Sequence, residues 1–171
     1  AKDIDKNTFP GAQGGALNNQ IAAKAVCFKE ALTKEYQEYA QQILNNAKAL
    51  ADSFQEQGLR VVSGGTENHL VLVDTRSVDE ELTGKEAGIL LNDRGVTLNR
   101  NAIPFDPRSP FITSGIRMGT PAVTTCGMKE NELTQVGYLI SEIMKNRSDE
   151  NKLNELEAEV RSLATSFQPY G

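Results

Sequence analysis

A single histidine and two cysteines are all that this sequence offers in the way of soft or imidazole ligands. One histidine by itself builds neither a histidine-based metal site nor a nucleophilic triad. Cys27 and Cys126 lie far apart and share no CxxC or Cys/His spacing, so a zinc motif and a disulfide framework are unsupported and buried free thiols are expected. No apolar run is long enough to span a bilayer, and the opening AKDIDKNTF is too polar for a secretory signal. Basic residues are scattered rather than blocked, and a net charge of −5 gives no electrostatic footprint for nucleic acid. Internal repeats and low-complexity tracts are missing too. These absences predict a cytoplasmic protein with no nucleic-acid partner and no membrane contact, and 171 residues suffice for one sizeable core.

What is present is periodic. Leu17, Ile21, Ala25, Phe28 and Leu32 recur at helical spacing after Gly14 and Gly15. Tyr36, Ala40, Ile43, Ala47, Leu50 and Phe54 form a second, longer stripe that Gly58 would close in a left-handed cap. Leu59 to Ser63 and His69 to Asp74 read as two short strands, antiparallel across Gly64 and Gly65. Thr83 and Glu86 have capping-box spacing ahead of Ala87, Leu90 and Leu91, and Gly95 closes that third helix. Val96 to Leu98 and Gly115 to Met118 are further strand candidates. Leu133, Val136, Ile140 and Met144 make a fourth helix, and Leu153, Leu156, Val160, Leu163 and Phe167 a fifth. The order predicts an α/β, α+β-like fold: a short mixed or antiparallel sheet covered on one face by helices. It does not argue a complete doubly wound domain, since four short strands give no long parallel sheet and GGTENH lacks the strand-to-helix context of a dinucleotide fingerprint.

Four of the six prolines crowd into the run NRNAIPFDPRSPFITSGIRMGTP, residues 99–121. Pro104, Pro107, Pro110 and Pro121 each fix φ and remove a donor, so the segment must hold one particular shape. Shaped loops on rigid scaffolds carry binding groups, and this one leads to Arg117, whose planar fork grips a carboxylate through two parallel hydrogen bonds. The alternative is an ion pair between Arg117 and an acidic neighbour such as Asp106. Asn101, Ser109, Pro110 and Phe111 combine an amide with a phenyl face, a set suited to a flat heteroaromatic ring with polar edges. Here the alternative is an Asn101 that satisfies its own backbone and a Phe111 that plugs the core. FPGAQGG, residues 9–15, is a glycine-rich turn before a helix, and its exposed N–H groups favour a phosphate, though two glycines before a helix are more often just a turn. His69 reads as a hydrogen-bonded, partly buried structural residue. Asp79, Glu80 and Glu81, and the charged residues from Arg147 to Glu159, read as solvated surface.

NRNAIPFDPRSPFITSGIRMGTPAVTT, FPGAQGG and VVSGGTENHLVLVD resemble three blocks of the serine hydroxymethyltransferase family, in order and at similar spacing. The resemblance runs from about Phe9 to the C-terminal helices and covers the C-terminal part of that enzyme. It implies the small domain of a fold-type I pyridoxal-phosphate transferase, with residues 1–33 as an interface segment and linking helix and residues 34–171 as the small α/β domain. It implies that Arg117 holds the substrate carboxylate, that Asn101, Ser109, Pro110 and Phe111 contact folate, and that Gly15, with Gly14, meets the cofactor phosphate of a neighbouring subunit. The family's Schiff-base lysine lies in a Thr/Ser-rich stretch ending His-Lys upstream of FPGxQGG, and no such stretch stands here; Lys34 and Lys85 are outside that motif. The expected partners are therefore an N-terminal large domain, a homodimer or tetramer of the full enzyme, serine or glycine, pyridoxal 5'-phosphate and tetrahydrofolate. AKDIDKNTFPG reads as the middle of a helix-to-loop passage. One departure is local: the family commonly continues Gly-Gly-Pro-Leu-Met-His, where this chain has Gly14-Gly15-Ala16-Leu17-Asn18-Asn19, and nothing explains Asn19.

Overall fold

The computed structural model describes residues 1–167, which belong to two compact units, Ala1–Glu38 and Tyr39 onward. The first unit opens with α1, Lys2–Lys6, followed by a wide turn over Asn7–Ala12 whose helical path breaks at Phe9 and Pro10. Next comes α2, Asn18–Ala31, rich in alanine and therefore a good helix former without a core beneath it. No residue of α2 is buried, and Leu17, Ile21, Phe28 and Leu32 of the apolar stripe are all exposed.

The helix α3 spans Lys34–Glu56, and in the second unit its Ala47, Leu50, Ala51 and Phe54 enter the core. The chain leaves it through Gly58 at φ 83°, the left-handed conformation that glycine adopts without a Cβ penalty. Four strands follow: β1 Arg60–Val61, β2 Leu70–Asp74, β3 Asn99–Asn101 and β4 Gly115–Gly119. They form one sheet in the order β1-β2-β4-β3, antiparallel throughout. The strand expected at Val96 to Leu98 lies instead at Asn99–Asn101. Pairing is fixed by the register Asn101 opposite Gly115 and Asn99 opposite Arg117, while Val96 and Leu98 pack against the core as connecting residues.

One face of the sheet, with Val61, Val71, Val73 and Ile116, is buried. Helices supply the other side of that core: α4 Gly84–Asp93 through Ala87 and Leu91, α6 Glu130–Lys145 through Leu133, Leu139, Ile140, Ile143 and Met144, and α7 Glu150–Thr165 through Leu153 and Leu156. The mixed α/β architecture with one helical layer matches the sequence pattern. The Thr83 capping box is complete, with Glu86 N–H donating to Thr83 Oγ1 at 3.0 Å and Thr83 N–H to the Glu86 carboxylate at 3.1 Å. A short α5, Pro121–Thr125, begins on a proline and had no periodic signal to announce it. Among the described residues no helix is long and apolar enough to cross a membrane.

Several surface assignments change. Asp79 is half-buried against Arg147 at 2.7 Å, and Arg94, at the end of α4, pairs with Glu150 and Glu157 of α7 at 2.7 and 3.1 Å. These charges tie elements together rather than merely facing water. His69 is exposed rather than partly buried; its backbone carbonyl accepts the Thr120 N–H at 3.1 Å, which continues the β2–β4 pairing beyond the strands. Both cysteines are free, but Cys27 is exposed on α2, none of whose residues is buried, and Cys126, the residue that follows α5, is only half-buried.

Candidate functional site

Side chains alternate across a strand, so the register sorts residues between the core and the opposite face. On β4, Ile116 goes inward opposite Val73, and Arg117 therefore goes outward opposite Leu72 on one side and Asn99 on the other. Asn101, two residues from Asn99, shares that outward face. Arg117 and Asn101 line one open concavity with Leu70 and Leu72 of β2, Lys48 and Asp52 of α3, and the connection from Val62 to Asn68.

Electrostatics separates Arg117 from its neighbours. Asp74, almost fully buried at the end of β2, takes Arg60 at 2.7 Å and Arg76 at 2.8 Å. Burial works against ionisation of Asp74, but hydrogen bonds from Arg76 and Arg60 outweigh it and hold the carboxyl below its ordinary value. Arg117 makes no ion pair among the described residues, although Asp52 and Glu67 line the same concavity. The Arg117–Asp106 alternative fails because Asp106 is engaged elsewhere: it accepts from Ser114 Oγ at 2.7 Å and from the N–H groups of Ser114, Ile103 and Arg108 at 2.8, 3.1 and 3.0 Å. Desolvation opposes the charge, yet the Ser114 hydroxyl and those three backbone donors bring the Asp106 carboxyl down to about 2.

The aromatic-binding set is divided. Asn101 Nδ2 donates to the Ala102 carbonyl at 2.7 Å, so the local-satisfaction alternative holds for its amide nitrogen. Phe111 does not plug the core: it is 77 % exposed, and its neighbours Ser109 and Pro110 are exposed too, on the loop between β3 and β4. Phe105 on the same loop is fully exposed. Asn101 joins Arg117 in the concavity; Ser109, Pro110 and Phe111 do not line it. In the first unit Gly14 and Gly15 are exposed, and a Cβ built on either would meet nothing within 4 Å.

Two features of this region escaped the sequence pattern. Lys48 adds a second cation to the concavity, and its surface position on α3 carries no motif. The rim runs through Ser63 at φ 67°, Gly64 at 70° and Gly65 at 147°, a left-handed path that a non-glycine residue adopts at a cost.

The family model for serine hydroxymethyltransferase matches residues 1–140. The chain belongs to the serine hydroxymethyltransferase family. That family consists of pyridoxal-phosphate-dependent transferases acting with tetrahydrofolate in serine and glycine chemistry, and the antiparallel sheet with its helical layer is consistent with the C-terminal domain of a fold-type I enzyme. Pyridoxal phosphate asks for a phosphate cradle, walls for its ring and a lysine amine. Gly14 and Gly15 stand in open space, with no neighbouring group that requires glycine at either position. No chemical step of this chain is routed through that cofactor.

Proposed function

We propose that this chain supplies the amino-acid and folate contacts of a serine hydroxymethyltransferase, which moves a one-carbon unit reversibly between serine and tetrahydrofolate, giving glycine and 5,10-methylenetetrahydrofolate. The observation that carries this reading is the guanidinium of Arg117 on the outward face of the sheet, without an ion-pair partner among the described residues, in a concavity shared with Asn101. An uncompensated planar fork beside an open cleft suits the α-carboxylate of an amino acid, bound bidentately. Gripping that carboxylate fixes the orientation of the substrate's Cα bonds, which is a positioning contribution to catalysis. Asn101, Ser109, Pro110 and Phe111 would offer the folate an amide edge and apolar faces. Gly15, with Gly14, would meet the cofactor phosphate of a neighbouring subunit in a homodimer or tetramer.

Pyridoxal phosphate, when bound in the complete enzyme, supplies the electron sink for bond cleavage at Cα. The lysine for it would come from an N-terminal large domain. The exposed stripe of Leu17, Ile21, Phe28 and Leu32 supports association with further polypeptide, because apolar area of this kind is normally covered.

Mixing the chain with a polypeptide that carries the lysine-bearing domain tests this reading. Serine-dependent formation of methylenetetrahydrofolate, abolished by R117A, is the expected result. A folded complex without turnover would favour instead a noncatalytic folate-binding or interaction module.

A further inference from the structure

Between β3 and β4 the chain runs from Ala102 to Ser114, and one carboxylate meets it at the start, the middle and the end. Asp106 Oδ2 accepts the N–H groups of Ile103 and Ser114, while Oδ1 accepts the N–H of Arg108 and the Oγ of Ser114, at 3.1, 2.8, 3.0 and 2.7 Å. Four donors use the acceptor capacity of an ionised carboxylate. An asparagine there would keep one acceptor oxygen and turn an NH₂ group toward N–H donors.

Those partners connect the loop to the rest of the domain. The Ser114 carbonyl accepts from the Thr75 N–H and Oγ1 at 2.9 and 3.0 Å. The Arg108 guanidinium donates to the carbonyls of Glu80 and Leu82 at 2.6 and 2.8 Å. Phe105 and Thr113, at φ 57° and 62°, are non-glycine residues in left-handed backbone, and each immediately precedes a residue of the clasp. Such conformations persist where the surroundings over-determine them. The far end of the loop has independent support, since the N–H groups of Gly84 and Lys85 donate to the carbonyls of Thr113 and Ile112. The segment carrying Ser109, Pro110 and Phe111 lies between these anchors with exposed side chains. Arg117, in contrast, is held by ladders to both β2 and β3 that do not involve Asp106.

We propose that Asp106 is a positioning residue for folate: its clasp on Ile103, Arg108 and Ser114 fixes the Ser109–Phe111 segment relative to Asn101 and Arg117. The proposal rests on the folate reading given above, and it separates two functions of neighbouring residues. Loss of the clasp frees the folate-facing loop while leaving the carboxylate-binding strand in place.

The test compares the wild-type chain with D106N and S114A. Each is titrated with 5-formyltetrahydrofolate by calorimetry and with serine by the NMR shift of the Arg117 Nε–H, and amide hydrogen exchange is recorded on the same samples. D106N should weaken folate binding by about tenfold or more and accelerate exchange at Ile103, Arg108 and Ser114 to a similar degree. Serine affinity and the protection of Ile116 and Met118 should hold within about twofold. S114A, which keeps the carboxylate and three of its four bonds, should give the same split at smaller amplitude and serves if D106N does not fold. Unchanged folate affinity, or equal losses for folate and serine, would overturn the proposal. If the wild-type chain binds no folate, the folate reading itself fails, and the exchange data then show separately whether Asp106 clasps the loop.

Discussion

Arg117 on β4 stands directly across the ladder from Leu72 on β2, with both side chains on the face opposite the buried pair Ile116 and Val73. Its charge is therefore presented by a rigid strand rather than by a loop. R117A should leave the folded domain intact and remove detectable serine binding, while R117K, which keeps charge but loses the planar fork, should weaken it by about tenfold to a hundredfold. Thermal unfolding and serine titration of both variants check this, and a lysine variant with wild-type affinity would remove bidentate recognition from the account.

Asn46 is fully buried on α3 and joins three places. Its Nδ2 donates to Thr124 Oγ1 at 2.8 Å and to the Met128 carbonyl at 2.9 Å, and its Oδ1 accepts from Gln42. N46A leaves a buried carbonyl and hydroxyl without their donor, so a loss of about 2–3 kcal/mol is expected from urea denaturation.

Gly84, at the start of α4, lies against the beginning of β4. A Cβ there would overlap the Thr113 hydroxyl and the Gly115 carbonyl oxygen. G84A should cost about 1–3 kcal/mol despite alanine's better helix propensity, because the overlap falls on backbone that the Thr75 and Asp106 bonds hold in place. A more stable G84A variant would mean that β4 yields easily at its start.

The depressed carboxyls of Asp106 and Asp74 set an acid limit. Each has a folded-state value below its unfolded one, so each contributes stability above the unfolded value near 4 that disappears as pH falls through the folded value. For Asp106 that window runs from about 4 to about 2. Wild-type stability should fall as pH drops through this range, and D106N should show a flatter decline. Parallel pH profiles for the two proteins would assign the acid sensitivity to other groups.

The capping box at Thr83 illustrates what could be read directly from local spacing. T83A should destabilise by about 1 kcal/mol, measured by denaturation, since one side chain satisfies the Glu86 N–H and positions the Glu86 carboxylate in return. Helix stripes, glycine caps and this box depend on residues within one or two turns of each other, which is why they were legible without a structure. The strand at Asn99–Asn101 was missed by three residues because its register is decided by a partner, Gly115, more than ten positions away.

By itself the sequence determined the mixed α/β class, the positions of the five longer helices, the family blocks and the residue types able to bind a carboxylate and an aromatic ring. Those properties follow from periodicity and from contiguous motifs. Tertiary structure decided which charges remain unpaired. Asp74 draws in Arg60 and Arg76, and Asp106 is taken up by Ser114 and backbone donors, so among the described residues Arg117 keeps a guanidinium without an ion-pair partner. It also decided that Asn101 accompanies Arg117 while Phe111 stays on the exposed loop. Pairing between ions and direction of side chains depend on distances between segments remote in the chain, and those distances exist only once the sheet has formed.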